Sequence, residues 1–283
     1  MTGYSQAGRP MRAGTPLGGD VLLLERLNGS EGLSRPYDLT LDFLSENASI
    51  DPKALLKKAI SVTIDLPDGT PRFFHGLVRR FAQGSRDMDK LVSYRAEIVP
   101  WFWFLSLSSH CRVFQNKSVP DIVKQVFGDL GMKDFKLSLN GTYNPREYCV
   151  QYRETDLDFV SRLLEDEGIF YFFEHTADKH TMVLADAKSS YGTGPVAKLS
   201  AASSEAGVFA DQYIASLDVE SQFFTGKVTL VDYNMETPST TLAPETSTTI
   251  GGLDNSSLGF FDYPGKFEKK ADGDRLARIR MEE

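Results

Sequence analysis

A chain of 283 residues with 41% hydrophobic and 25% charged residues can bury a sizeable core, and its length suits about two domains. A net charge of −8, a pI near 5.2 and only short basic pieces (Lys57 and Lys58, Arg79 and Arg80, Lys269 and Lys270) argue against nucleic acid or anionic lipid as a partner. Two cysteines, Cys111 and Cys149, are too few for a disulfide-stapled scaffold, and no run approaches the roughly 18 apolar residues of a membrane-spanning helix.

Residues 1–19 are rich in Gly, Pro and Ser without periodicity and read as a flexible arm. They hold no apolar signal core, so the chain is expected to fold in the cytoplasm and to leave, if it leaves, without a signal peptide. From Asp20 onward the chain is strand-like. YDLTLDFL places Tyr37, Leu39, Leu41 and Phe43 on one face, and ISVTIDL does the same with Ile60, Val62, Ile64 and Leu66. Pro67-Asp68-Gly69 is a turn, RFFHGLVRRF follows, and LVSYRAEIV alternates through Val92, Tyr94, Ala96 and Ile98. Asp51 before Pro52 predicts a short helix, with Ile50 and Leu55 placed for a hydrophobic staple. The expectation is a first β-barrel over 20–104, rejoined by about 207–233, with Leu39, Leu41, Phe43, Val62 and Ile64 inward.

At Pro100 the pattern changes. WFWFL lacks alternation and reads as core, with an exposed aromatic platform as the minor alternative. Ser118 caps a predicted helix with the stripe Val119, Ile122, Val123, Val126, Phe127 and Leu130, stopped at Gly131. EYCVQY is a strand, Thr155 caps a second helix with Leu157, Val160, Leu163 and Leu164 buried, Gly168 stops it, and IFYFFEH and MVLA are strands. Residues 105–190 thus predict an α/β insertion, and 191–206 a linker. Strands resume at QYIASLDVES and GKVTLVDYNM, 237–259 reads as a long polar loop, and DGDRLARIRMEE opens a helix.

Chemistry is scarce. GxSxG, P-loop, HExxH and CxxC motifs are absent from the sequence. The histidines are His75, His110, His175 and His180. A zinc set of His110, Cys111, Cys149 and His175 can be drawn, but it lacks paired ligand spacing and is rejected. The helix ETDLDFVSRLLEDE carries six carboxylates, and paired carboxylates can hydrolyse glycosides. Glu154, Asp156 and Asp158, however, start the helix, where its dipole favours anions, and Asp158 sits three residues after Thr155 in a near capping box. No catalytic, cofactor-binding or metal residue is assigned.

One segment goes beyond composition. REYCVQYRETDLDFVSRLLEDEGIFYFFEH, residues 146–175, joins a strand ending in QY, a helix with an RL pair, and a Gly before an aromatic strand. This closely resembles the VgrG family. CRVFQNKSVPDIVKQVF (111–127), VTLVDYNMETP (228–238), FFDYPGKFEKKADGDRLARIRMEE (260–283) and the upstream FFHGLVRRF resemble the same family in order, so the likeness is collinear over about 20–283.

The resemblance implies a mainly β chain with an α+β insertion, similar to the hub of contractile phage tails. In that family two related β-barrels per chain form a trimeric ring of pseudo-sixfold shape. The ring sits between a hexameric Hcp tube and a needle tipped by a PAAR protein, and effectors or adaptors ride on these parts. On this reading 234–283 begins a second barrel that stops incomplete at Glu283, before the family's OB-like domain and needle, and the isolated chain is expected to trimerise weakly at most. The implied function is a type VI secretion spike hub that delivers effectors by puncture and is not an enzyme. A contractile phage hub is the runner-up, and a cell-wall hydrolase the remote alternative.

Overall fold

The computed structural model describes residues 3–66, 68–86, 91–191, 200–201, 213–214 and 217–282. The chain divides into two compact units. One is Met1–Leu164 with Ile169–Ile214, and the other is Glu165–Gly168 with Ala215–Glu283.

In the first unit, β1 (Met11–Gly14), β2 (Leu23–Gly32), β3 (Arg35–Ser45), β4 (Ala59–Asp65), β5 (Pro71–Arg86) and β6 (Val92–Val99) form one antiparallel sheet in the order β1-β4-β5-β6-β3-β2. Alternation sets its inner face. Register brings Leu39 opposite Ile98, Leu41 opposite Ala96 and Phe43 opposite Tyr94, all buried. Leu39, Leu41, Phe43 and Val62 are buried as expected, whereas Ile64, near the end of β4, is only partly covered. Register shifts in β2 and β5 add curl, giving a half-barrel. Asp51 accepts a hydrogen bond from the Lys53 N–H and caps the short 3-10 turn Pro52–Ala54, with Ile50 and Leu55 buried beside it. At the next turn, of which Pro67 lies outside the described residues, Asp68 accepts from the Thr70 N–H at 2.8 Å and Gly69 has φ +82°.

The flexible-arm reading of 1–19 is corrected. Met11–Gly14 is an edge strand paired with β4, and Gln6 is buried. The Gln6 carboxamide accepts from the Ala13 N–H (3.0 Å) and the Leu24 N–H (3.1 Å) and donates to the Ala13 carbonyl (3.2 Å). Ala13 lies on β1 and Leu24 on β2, the two edges of the sheet. One side chain therefore bridges the open seam, satisfying backbone groups that an edge leaves bare.

The chain leaves β6 through a 3-10 turn, Trp101–Leu107, and builds an α/β layer: β7 (Ser109–Lys117), α1 (Val119–Asp129), β8 (Phe135–Ser138), β9 (Arg146–Thr155), α2 (Asp156–Asp166), β10 (Phe170–His175) and β11 (His180–Ala185). β7 pairs with β9, and β10-β11-β8 form a three-stranded sheet. Both helices start and stop as their sequences dictate. Ser118 accepts from the Asp121 N–H, Thr155 accepts from the Asp158 N–H at 3.0 Å, and Gly131 and Gly168 take φ near +70° and +69°. Trp101, Phe102 and Leu105 fill the core with Phe127, Phe159 and Leu163. Trp103 and Phe104 are half-buried under the cations of Arg79 and Lys57. Leu157, expected in the buried stripe, is only partly covered, and Phe159 takes the central place.

The linker expected at 191–206 lies outside the described residues except at 191, 200 and 201, where β12 (Ser200–Ala201) pairs with β13 (Tyr213–Ile214). The expected return of 207–233 to the first sheet is corrected for its longer described strand. β14 (Lys227–Leu230) is the centre of a separate sheet in the order β15-β14-β16, with β15 (Glu245–Ser247) and β16 (Gly259–Asp262). Its alternating KVTL needs a covered face, and this face is covered inside the second unit by Leu242, by Phe267 and, from α3 (Lys270–Glu282), by Ala277. The second unit therefore starts before 234. Nor is 237–259 a structureless loop, since it holds β15, buried Leu242 and buried Asn255.

Candidate functional site

The β7–β9 ribbon carries apolar side chains on both faces. Inward, Phe114 lies opposite Cys149 and Arg112 opposite Gln151, and Phe114 stacks on Phe159 of α2 at 5.5 Å. Outward, Cys111 lies opposite Tyr152, Val113 opposite Val150 and Gln115 opposite Tyr148. Among the described residues this outer face stays open: Tyr148 is 59% exposed, Tyr152 63% and Val113 54%. Arg153, in a left-handed conformation at φ +54°, lays its guanidinium 5.1 Å from the Tyr152 ring. A contiguous stripe of this kind marks a contact surface. In the second unit the edge strand β16 is exposed along its whole length, with Phe260 at 49% and Phe261 at 66%, beside exposed Tyr263.

Beneath the ribbon lies a buried carboxylate that the sequence did not disclose. Asp156 is fully buried at the start of α2. Its Oδ1 accepts from Arg112, from Gln151 Nε2 (2.9 Å) and from the His110 ring (3.1 Å). The helix dipole alone does not explain it, because two strands supply donors from outside the helix. Glu154 and Asp158 follow the structural reading: Glu154 pairs with Arg162 at 2.6 Å, and Asp158 closes the box with Thr155.

The zinc set drawn from sequence is scattered. Cys111 points outward and Cys149 inward on the ribbon, His110 binds Asp156, and His175 is elsewhere. Three other histidines do meet. His75 of β5 has its Nδ1 2.9 Å from Nδ1 of His180 on β11, and its backbone N–H donates to Nδ1 of His175 on β10 at 3.1 Å. His180 Nε2 accepts from the Trp101 N–H at 2.8 Å, and His175 Nε2 lies 3.0 Å from Glu31. Tyr37 roofs the group, its hydroxyl donating to the His75 carbonyl at 2.5 Å. Burial, reinforced by the neighbouring histidines, pushes His180 down to about 3; burial and then His175 also lower His75. Among the described residues no group of three or more His, Cys, Asp or Glu is arranged to hold a metal ion.

The family described as phage tail baseplate hub (GPD) matches residues 30–283. The chain belongs to this hub family. It is 40% identical over 99% of its length to the type VI secretion system spike protein VgrG1c of Pseudomonas aeruginosa, of which it spans 38%. A solved E. coli component of the type VI secretion system, c3393, described as structurally similar to the T4 phage tail proteins gp27 and gp5, matches at a TM-score of 0.55 and 28% identity, over 60% of this chain and 48% of that one. A tail protein from Neisseria meningitidis shares the fold at a TM-score of 0.58 and 14% identity, over 90% of this chain and 69% of that one. The mainly β hub fold and the VgrG likeness read from the sequence are thus borne out. Among the described residues no helix is long and apolar enough to cross a membrane.

Proposed function

We propose that this chain is the hub portion of a type VI secretion spike. Three copies, each bringing two hub units, would present six comparable surfaces to a hexameric Hcp-like tube on one side and a threefold needle on the other, the simplest solution to that symmetry mismatch. The observation that carries the reading is the hub-family match over 30–283 together with 40% identity to a secretion spike across nearly the whole chain. The exposed ribbon face and β16 support it, since a part whose work is geometric needs contact surfaces rather than a cleft. Effectors, adaptors or a PAAR-type tip are its further partners. The protein is made in the cytoplasm and leaves it on firing. The same fold serves contractile phage hubs, which is the second reading; the identity to secretion spikes favours the first.

On this proposal the chain works without catalysis. Deleting its gene should abolish release of the tube protein into the medium, and Glu165→Gln and Glu167→Gln should each restore release. Peptidoglycan hydrolysis by the purified protein, lost in either variant, overturns the non-enzymatic reading.

A further inference from the structure

Two backbone N–H groups, which cannot change their protonation, set the tautomers of His75, His175 and His180 at neutral pH. The backbone N–H of Trp101 points at His180 Nε2, and that of His75 points at His175 Nδ1, so both nitrogens must be bare acceptors. The His180 proton is therefore on Nδ1, aimed at His75 Nδ1, which must accept it and keep its own proton on Nε2. The His175 proton is on Nε2, aimed at Glu31. Every ring nitrogen without a proton thus faces a donor. A proton added to any of the three rings breaks a hydrogen bond and sets donor against donor in a buried site.

The cluster also joins two parts of the first unit. His75 belongs to the six-stranded sheet, whereas His175 and His180 end the two strands of the β10–β11 hairpin. We propose that this cluster is an acid-sensitive latch, closed at neutral pH and opened by proton uptake, that fastens the β10–β11 hairpin to the first sheet.

The other charges around it do not reverse this. Glu31, from the β2–β3 hairpin, is held low first by its hydrogen bond to His175 and also by Arg72 of β5. Asp134, ahead of β8, and Asp178, in the hairpin turn, pull His75 upward, but less than burial and His175 push it down. Lys179 is paired with Asp134 at 3.4 Å, and the Tyr37 hydroxyl is committed to the His75 carbonyl. The sign follows. Both shifted histidines are depressed in the folded state, so the latch is fully stable above about pH 6.5, the free histidine value, and weakens as pH falls below it.

The test is amide hydrogen exchange on the whole chain, corrected for intrinsic rate, between pH 7.5 and 5.5. Opening of 170–185 should rise about 10-fold from His180 and further from His75, while β3 and β6 change less. His180→Gln keeps an acceptor for the Trp101 N–H and should cut the rise about 10-fold. His110→Gln, outside the cluster, should leave the wild-type rise intact. A flat wild-type profile, or a His180→Gln profile equal to wild type, overturns the latch. Should His180→Gln fail to fold, ring nitrogen NMR on the wild type decides: His180 must carry its proton on Nδ1 and His75 and His175 theirs on Nε2 at neutral pH, and any other assignment, or a charged His180 ring above pH 6, refutes it.

Discussion

The six-stranded sheet with its α/β layer and the three-stranded sheet of the second unit are made from similar residues but are finished differently. In the first unit strand alternation is answered by a covering layer, and Leu41, Phe43, Phe102, Phe127 and Leu163 are lost to solvent entirely. In the second, α3 covers only the face carrying Val228 and Leu230, and both faces of β16 stay open, phenylalanines included. A strand's sequence states that a face wants covering, not which molecule covers it. The outer face of the β7–β9 ribbon makes the same point within the first unit. Under the proposed hub function these open faces are where assembly would happen, so they should contribute little to the stability of the lone chain and much to the complex.

Substitutions separate the two kinds of surface. The largest loss is expected from Leu163→Ala, which empties a fully buried site and should cost about 2–5 kcal/mol in denaturant unfolding. Loss below about 0.5 kcal/mol would mean that the α2 stripe does not face a core. In the second unit Gly226→Ala should come next, at about 1–3 kcal/mol, because an added Cβ would stand 1.9 Å from the Asn255 carbonyl oxygen. A neutral result would show that the unit is loosely built there. Gln6→Ala should cost a similar 1–3 kcal/mol by stripping acceptors from two buried N–H groups at the seam, visible as faster exchange of the Ala13 and Leu24 amides. At the open faces, Tyr152→Ser and Phe261→Ser should shift stability by no more than about 0.5 kcal/mol while weakening assembly. Equal effects on both readouts would erase the distinction between the two regions.

What could be read from the sequence followed local rules. Alternation set the inner face of β3, β4 and β6, and Ser118, Thr155, Gly131 and Gly168 marked the helix ends, because each signal lies within a few residues of its effect. What failed was long-range. Residues 1–19 looked disordered because one glutamine, Gln6, anchors them through backbone groups that composition does not reveal. KVTL was correctly a strand, but its pattern could not say which sheet it joins. Asp156 read only as a helix-start anion because its partners Arg112 and Gln151 arrive from a ribbon whose register is unreadable in advance. The histidine latch joins residues about a hundred positions apart, so no spacing rule could find it.

The most direct test of the central claim is native mass spectrometry of the full-length protein bearing this chain, mixed with the tube protein of its own secretion system. The account predicts three copies bound to one hexameric ring, with Tyr152→Ser and Phe261→Ser together lowering the occupancy of that complex. A stable monomer that binds no ring, or a complex of different stoichiometry untouched by those substitutions, would contradict it.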